Sequence, residues 1–184
     1  SAASDVYKRQ IEDDAEELSE LEMIGKRLKL SDNQFLQFMD AGRGHLIRIK
    51  DLVSKYSNEE VKALLKYMGG GSWDRFIFQL EVLSNWNDLA EAVRMATSVK
   101  NLCKYFDRYQ SFEPFEIVQI AKSVRFDKPA FKEKMGERQA VVDAQMKRDS
   151  YEMVLFSHPD IGASYLADVD DRIIVGPGWT FHVD

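Results

Sequence analysis

The 184-residue chain is poor in cysteine, proline and histidine, with one, four and three residues respectively. A single thiol cannot form an intramolecular disulfide, and Cys103 lies in a strongly helical stretch, so we expect a buried cysteine in a reducing compartment. No stretch approaches the roughly 18 apolar residues of a membrane span, and nothing resembles a secretory signal. These absences predict a protein without membrane association, in the cytoplasm or in an organelle.

The sequence also lacks the motifs that mark common active sites. It has no Gly-x-Ser-x-Gly elbow, no dinucleotide fingerprint and no His-Glu-x-x-His helix. No cofactor is therefore predicted. An enzyme hypothesis depends on the C-terminal segment alone, where imidazole and carboxylate groups suitable for a divalent metal recur at His158, Asp160, Asp170 and His182. Their spacing matches no established ligand pattern, and a solvated turn and cap is the alternative role for them.

Apolar side chains, in contrast, are plentiful enough to form a core. They make up 45% of the chain, with 11% aromatic residues, which predicts a compact domain that needs no disulfide or metal. The net charge of −6 is unevenly distributed: residues 11–42 carry −6, residues 43–150 carry +4 and residues 151–184 carry −5. The mildly basic middle is compatible with an anionic partner.

The most informative pattern is an apolar helix face that recurs every 28 residues. An acid precedes each set of apolar residues and a base lies within it, as expected for stacked helical units. Because 28 is a multiple of seven, heptad-like helices can also fall into this step by coincidence. The three sets are Val61, Leu64, Leu65 and Met68; Leu89, Ala92, Val93 and Ala96; and Ile117, Ile120, Ala121 and Val124.

Capping residues and glycines divide the chain into segments. Ser31 and Ser57 have capping-box spacing, and the glycines at 69–71 end a helix. We predict four segments: residues 1–10, which resemble translated adapter read-through and are expected to be a non-native leader; an acidic helix over 11–30; a helical-repeat domain over 31–150; and a C-terminal β-hairpin or cap over 151–184.

The predicted cap consists of three strand-like stretches. Tyr151–Phe156 and Arg172–Val175 are apolar runs, and Trp179–Val183 alternates in polarity, with Gly176-Pro177-Gly178 as a turn. The fold class predicted for the whole chain is mainly α, with antiparallel helix-hairpin repeats arranged as a short α-solenoid or bundle and a small C-terminal β-hairpin.

The 28-residue register aligns three cations, Lys66, Arg94 and Lys122, on successive repeats. Repeat proteins that bind single-stranded RNA place bases and aromatic residues on equivalent helix positions. Four further side chains near this column complete the predicted partner-binding set: Tyr67, Lys104, Tyr105 and Arg108. A solvated helix edge is the alternative interpretation of the same column.

Two stretches, Phe112–Met135 and Ser57–Leu80, resemble the helix pairs of octotricopeptide and FAST-kinase-like RNA-binding proteins of organelles. The resemblance implies an α-solenoid and suggests an RNA partner in an organelle. Together these features favour a non-enzymatic macromolecular-interaction module that binds protein or single-stranded RNA. The alternatives are a metal-dependent hydrolase or nuclease that uses the C-terminal histidines and aspartates, and a structural part of a larger complex.

Overall fold

The computed structural model describes residues 1–157, and α-helices are the regular secondary structure of this range. The predicted mainly α class is therefore confirmed for the described residues. The helices are α1 (Ala2–Arg27), α2 (Asp32–Ala41), α3 (Leu46–Lys55), α4 (Asn58–Gly69), α5 (Trp73–Val82), α6 (Asn87–Ala96), α7 (Val99–Arg108), α8 (Pro114–Ser123) and α9 (Lys128–Ser157). No helix among them is both long and apolar enough to cross a bilayer.

The chain divides into two compact units, Ser1–Phe131 and Lys132–Asp184. The first unit contains α1 to α8 and the start of α9. In the second, the structure describes the remainder of α9, up to Ser157. Both grooves described below lie in the first unit.

Local sequence signals set the helix ends. The Ser57 hydroxyl accepts the Glu60 N–H (3.2 Å) and the Glu60 carboxylate accepts the Ser57 N–H (3.0 Å), which confirms the predicted capping box. Gly70, with φ of +59°, ends α4 in the left-handed conformation that favours glycine. Ser31 caps α2 by accepting the Gln34 N–H, but the Gln34 side chain donates to the Gly71 carbonyl (2.9 Å) instead of completing a box.

The predicted 28-residue column forms the buried faces of α4, α6 and α8. Ten of its twelve side chains are buried, while Val93 and Val124 are half-buried. Helix α4 packs against α5 and α7, α6 packs against α7 and α8, and α5 packs against α2 and α8. A Cβ at Gly69 would lie 2.8 Å from the Phe76 Cβ, so glycine permits the close approach of α4 and α5.

A buried polar link joins α5 to the start of α8. The Gln79 side chain is 0% exposed; its amide nitrogen donates to Glu113 (2.7 Å) and its carbonyl accepts the Phe115 N–H (2.8 Å). Both ends of the buried amide are thereby satisfied, as buried polar groups require.

The strand predicted over Tyr151–Phe156 is wrong, because these residues continue α9. Glu152, Met153 and Leu155 are good helix formers, and Val154 is the single β-branched residue of the stretch. Extending an existing helix adds a hydrogen bond per residue and needs no new nucleus. Continuing α9 is therefore more favourable here than starting a short strand. The strands predicted at Arg172–Val175 and Trp179–Val183 lie outside the described residues.

The predicted boundary between a leader (1–10) and an acidic helix (11–30) falls inside α1, which begins at Ala2. Leu21 and Gly25 are the buried residues of this helix, and residues 1–16 are exposed. Helix α1 packs against α2 and α3.

Candidate docking groove

A groove of about 360 Å³ lies between α4 and α7, and we call it the docking groove. Helix α4 packs against α7, and both helices bury apolar faces, so the groove lies over a packed helix pair. The residues that line it are Glu59, Glu60, Ala63 and Tyr67 from α4 and Val99, Lys100, Cys103, Lys104 and Asp107 from α7.

The floor of the docking groove is apolar. Val99 and Cys103 are 1% and 3% exposed, and Tyr67 is 37% exposed beside them. Burial raises the pKa of the Cys103 thiol to about 11. The thiol is therefore protonated at physiological pH and acts as part of an apolar wall rather than as a nucleophile. This agrees with the predicted buried cysteine.

Charged groups of both signs surround this floor. Glu59, Lys100 and Lys104 are exposed, and their side chains have no hydrogen bond or ion pair with another residue in the range 1–157. Glu60 is engaged in the capping box, and Asp107 accepts the Gln110 side-chain amide at 3.0 Å. The groove thus combines accessible apolar surface at Ala63 and Tyr67 with three charges that the described part of the fold leaves uncompensated.

Two residues of the predicted partner-binding set, Tyr67 and Lys104, meet in the docking groove. Lys66, the first cation of the predicted column, is exposed on α4, and its Nζ lies 5.2 Å from the centroid of the Tyr67 ring. The separation is within the range of a cation–π interaction. The α4 part of the predicted set is therefore next to the groove.

The other two cations of the column have partners within the fold. Arg94 Nη2 lies 2.5 Å from Glu91 Oε1, one turn away on α6. Lys122 Nζ lies 3.1 Å from Asp88 Oδ2, and the Asp88 residue is only 5% exposed. Lys122 therefore compensates a buried carboxylate, which is a role in stability.

The remaining predicted residues belong to an aromatic cluster. Tyr105 is half-buried, stacks on Tyr109 with 6.5 Å between ring centroids, and meets Phe131 edge-on at 5.3 Å. The Arg108 guanidinium lies 5.4 Å from the Tyr109 ring centroid. Tyr105 is thus a packing residue rather than an open platform on which a nucleobase stacks.

Sequence reasoning missed the acids of the docking groove. No sequence pattern singles out Glu59 or Asp107 as a binding residue. The groove depends on the pairing of α4 with α7, which are not consecutive helices. The available signal was the spacing of Val99, Cys103 and Asp107 on one helix face beside Lys100 and Lys104.

A second concavity, of about 600 Å³, lies between α1 and the start of α3, and we call it the acidic groove. Its lining includes Asp13, Glu16, Glu17 and Glu20 of α1 together with His45, Arg48, Glu81 and Trp86. No sequence pattern predicts this groove, because it forms where α1, α3 and the end of α5 come together.

Most charged groups of the acidic groove bind one another. Glu81 Oε1 lies 2.9 Å from His45 Nδ1 and 3.3 Å from Arg48 Nε. Arg48 also donates to the Leu80 carbonyl (2.9 Å), and its guanidinium lies 3.7 Å from the centroid of the Trp86 ring. These contacts tie α3 to the end of α5 and to the loop before α6.

The acids of α1 are engaged in part. Glu17 accepts the Gly44 N–H at 2.5 Å, and Glu20 pairs with Lys50 at 3.4 Å. Asp13 and Glu16 have no side-chain partner within residues 1–157, and both are exposed carboxylates on the same helix.

The candidate metal ligands His158, Asp160, Asp170 and His182 all lie outside the described residues. Within residues 1–157, no group of three or more histidine, cysteine, aspartate or glutamate side chains is arranged to hold a metal ion. The alternative hypothesis of a metal-dependent enzyme therefore stays a prediction about the C-terminal segment.

Comparison with known proteins identifies no relative. The chain matches no family model, no curated protein and no solved structure. The resemblance to octotricopeptide and FAST-kinase-like proteins thus has no support from a family match. The class that the structure defines for residues 1–157 is an all-α protein with seven helices of 10 to 12 residues between two long helices, α1 and α9.

Proposed function

We propose that this protein is a non-enzymatic interaction module that binds a segment of another protein in the docking groove between α4 and α7. The observation that carries the proposal is the combination of accessible apolar surface at Ala63 and Tyr67 with three exposed charges, Glu59, Lys100 and Lys104, that have no partner among the described residues. Apolar contact supplies affinity, and charges at the rim of an interface supply orientation and specificity.

The mixture of charges favours a protein partner over RNA. Single-stranded RNA is a polyanion, and it is bound by grooves in which cations follow the backbone. In the docking groove the carboxylates of Glu59, Glu60 and Asp107 accompany the two lysines. Carboxylates interspersed with ammonium groups do not form the continuous cationic track that a phosphate backbone requires, whereas a polypeptide brings side chains of both signs.

The cationic column supports the same choice. For Lys122 to neutralise a phosphate, it would have to leave Asp88, which is 5% exposed. Leaving a buried carboxylate without its partner costs about 1–3 kcal/mol, and this cost would oppose RNA binding at that position. Single-stranded RNA is accordingly the second partner class in our proposal.

We further propose that α4, α6 and α8 begin successive helical repeats. Their N-cap residues, Ser57, Trp86 and Glu113, are separated by steps close to the 28-residue register, and each helix buries the same face. Helical repeats present surfaces rather than deep reaction pockets, in keeping with a binding role in the cytoplasm or an organelle.

The first test is peptide binding by the full chain. Peptides of about 16 residues are selected from a random display library, and the affinity of the enriched peptides is measured by fluorescence anisotropy. We expect Tyr67→Ala to weaken binding about tenfold or more, because the ring is a wall of the groove. Phe78→Ala is the matched control, since this aromatic residue is 58% exposed on α5 and does not line the groove.

The RNA alternative is tested in parallel with mixed-sequence RNA of about 20 nucleotides at low and near-physiological salt. Saturable RNA binding that weakens steeply with salt and is abolished when Lys66, Arg94 and Lys122 are reversed to Glu would replace the protein proposal. Circular dichroism of the triple variant is needed, because a glutamate at 122 would face Asp88. Failure to enrich any peptide whose binding depends on Tyr67 would also overturn the proposal.

A further inference from the structure

The walls of the docking groove restrict the backbone conformation of its occupant. Both walls are α-helices, α4 and α7, whose central N–H and C=O groups are bonded within each helix. An extended peptide in this groove would bury backbone polar groups that find no partner there, at a cost comparable to a lost hydrogen bond for each group. A helical segment satisfies its own backbone before it binds.

The length of the groove matches about two turns of such a helix. The lining residues run from Glu59 to Tyr67 on one wall and from Val99 to Asp107 on the other. Each stretch rises about 12 Å at 1.5 Å per residue, which is slightly more than two helical turns. A partner helix of this length presents apolar side chains at positions i, i+3 or i+4, and i+7, the spacing used in helix-in-groove recognition.

The distribution of charge along the two walls predicts the charge on each flank of the partner helix. The unpartnered charge contributed by α4 is the carboxylate of Glu59, whereas those contributed by α7 are the ammonium groups of Lys100 and Lys104. A helix lying between them meets a negative group on one side and positive groups on the other. Charge complementarity therefore calls for basic side chains on one flank and acidic side chains on the other.

We infer that the occupant of the docking groove is an amphipathic α-helix of a partner protein, with apolar residues against Ala63 and Tyr67, a basic flank towards Glu59 and an acidic flank towards Lys100 and Lys104. This inference rests on the proposed function, because it specifies the partner of the same groove. It adds the conformation and the charge pattern by which a partner is recognised.

The test uses two display libraries of designed peptides of about 18 residues, both selected on the full chain. The first has leucines at helix spacing, with flanking positions varied among Lys, Glu and Ala. The second is identical except for a central proline, which breaks a helix. We expect enrichment from the first library only, with lysines on one flank and glutamates on the other.

A charge-reversal experiment then assigns the flanks. The double variant Lys100→Glu, Lys104→Glu should bind the best peptide about tenfold more weakly, and should regain affinity when the peptide glutamates are replaced by lysines. Lys62→Glu is the matched control, because Lys62 is on α4 but does not line the groove. Lys100→Ala with Lys104→Ala provides a milder pair, with a smaller loss expected.

The outcomes separate the two proposals. Enriched peptides that contain the proline, or that carry the same charge on both flanks, would overturn the helical inference; so would a failure of the lysine-substituted peptide to restore binding. If those peptides still lose affinity with Tyr67→Ala, the docking groove itself stands. If no peptide from any library depends on Tyr67, both the inference and the proposed function are overturned.

Discussion

The acidic groove and the docking groove differ more in their bonding than in their size. The acidic groove is the larger, about 600 Å³ against about 360 Å³. Its charged side chains are nevertheless mostly engaged: Glu81 with His45 and Arg48, Glu17 with Gly44, and Glu20 with Lys50. In the docking groove, Glu59, Lys100 and Lys104 have no such partners among the described residues.

Charged side chains without a partner in the fold, rather than a large volume, therefore distinguish a candidate binding surface. A charge that already has a good partner must lose it before it binds something else, and that loss subtracts from affinity. A charge that is only hydrated exchanges water for the partner. The comparison predicts that changes to engaged groups alter stability, whereas changes to unengaged groups alter binding.

The largest effect on stability is expected from Gln79→Met, because both ends of the Gln79 amide are hydrogen-bonded within the fold. This change removes the acceptor of the Phe115 N–H and the donor to Glu113 in a buried position, so we expect a loss of about 2–4 kcal/mol in the free energy of unfolding. Urea unfolding measures it, with Gln37→Met on the exposed face of α2 as the control. A loss below about 0.5 kcal/mol would contradict the importance of internal pairing.

A smaller effect is expected from Lys122→Ala, which leaves the buried Asp88 carboxylate without its cation. Because Lys122 is itself half-exposed, solvent replaces part of the interaction, and we expect a loss of about 1–2 kcal/mol. Lys100→Ala removes an unpaired lysine and should change stability by less than about 0.5 kcal/mol. Equal losses of stability in the two variants would contradict the distinction between paired and unpaired charges.

Within the acidic groove, Glu81→Gln should cost about 0.5–1 kcal/mol, since the substitution keeps the shape but removes the charge that faces His45 and Arg48. Glu59→Gln in the docking groove should leave stability unchanged within about 0.5 kcal/mol, because Glu59 has no partner among residues 1–157. Thermal unfolding of both variants gives the comparison. A greater loss for Glu59→Gln would reverse the roles assigned to the two grooves.

The smallest effect concerns the ionisation of Cys103, which we expect to leave the free energy of unfolding unchanged at neutral pH. With its pKa raised to about 11, the thiol of the folded protein is protonated at pH 7, so alkylation by iodoacetamide should be slow. The folded pKa is above the unfolded one, so this group leaves stability unaffected below the ordinary thiol pKa and lowers it as pH rises from about 9 towards 11. Cys103→Ala should lack that alkaline decline. Rapid labelling of the folded protein at pH 7 would show that the floor of the docking groove is open to water.

Local signals predicted much of the helical framework. The Ser57 capping box, the end of α4 at the glycines and the burial of the 28-residue column all follow from interactions within one or two turns of chain. The strand predicted at Tyr151–Phe156 was wrong because a short apolar run does not distinguish a strand from the continuation of a helix.

The candidate site was predicted only in part. Tyr67 and Lys104 lie in the docking groove, but Arg94 and Lys122 are engaged with Glu91 and Asp88. Alignment of Lys66, Arg94 and Lys122 in the sequence register could not reveal this, because the register specifies which face a side chain occupies and not which neighbour it meets. Asp88 and Lys122 are 34 residues apart, and only the packing of α6 against α8 brings them together.

The sequence by itself determined where most helices begin and end, which faces they bury and that Cys103 is buried, because caps, glycines and apolar periodicity act over a few residues. The tertiary structure alone decided that α4 packs against α7 and that Glu81 pairs with both His45 and Arg48. It also decided that Glu59, Lys100 and Lys104 have no charged partner among the described residues. These outcomes depend on contacts between segments far apart in the chain, and it is such contacts that separate the charges stabilising this fold from those available to a partner.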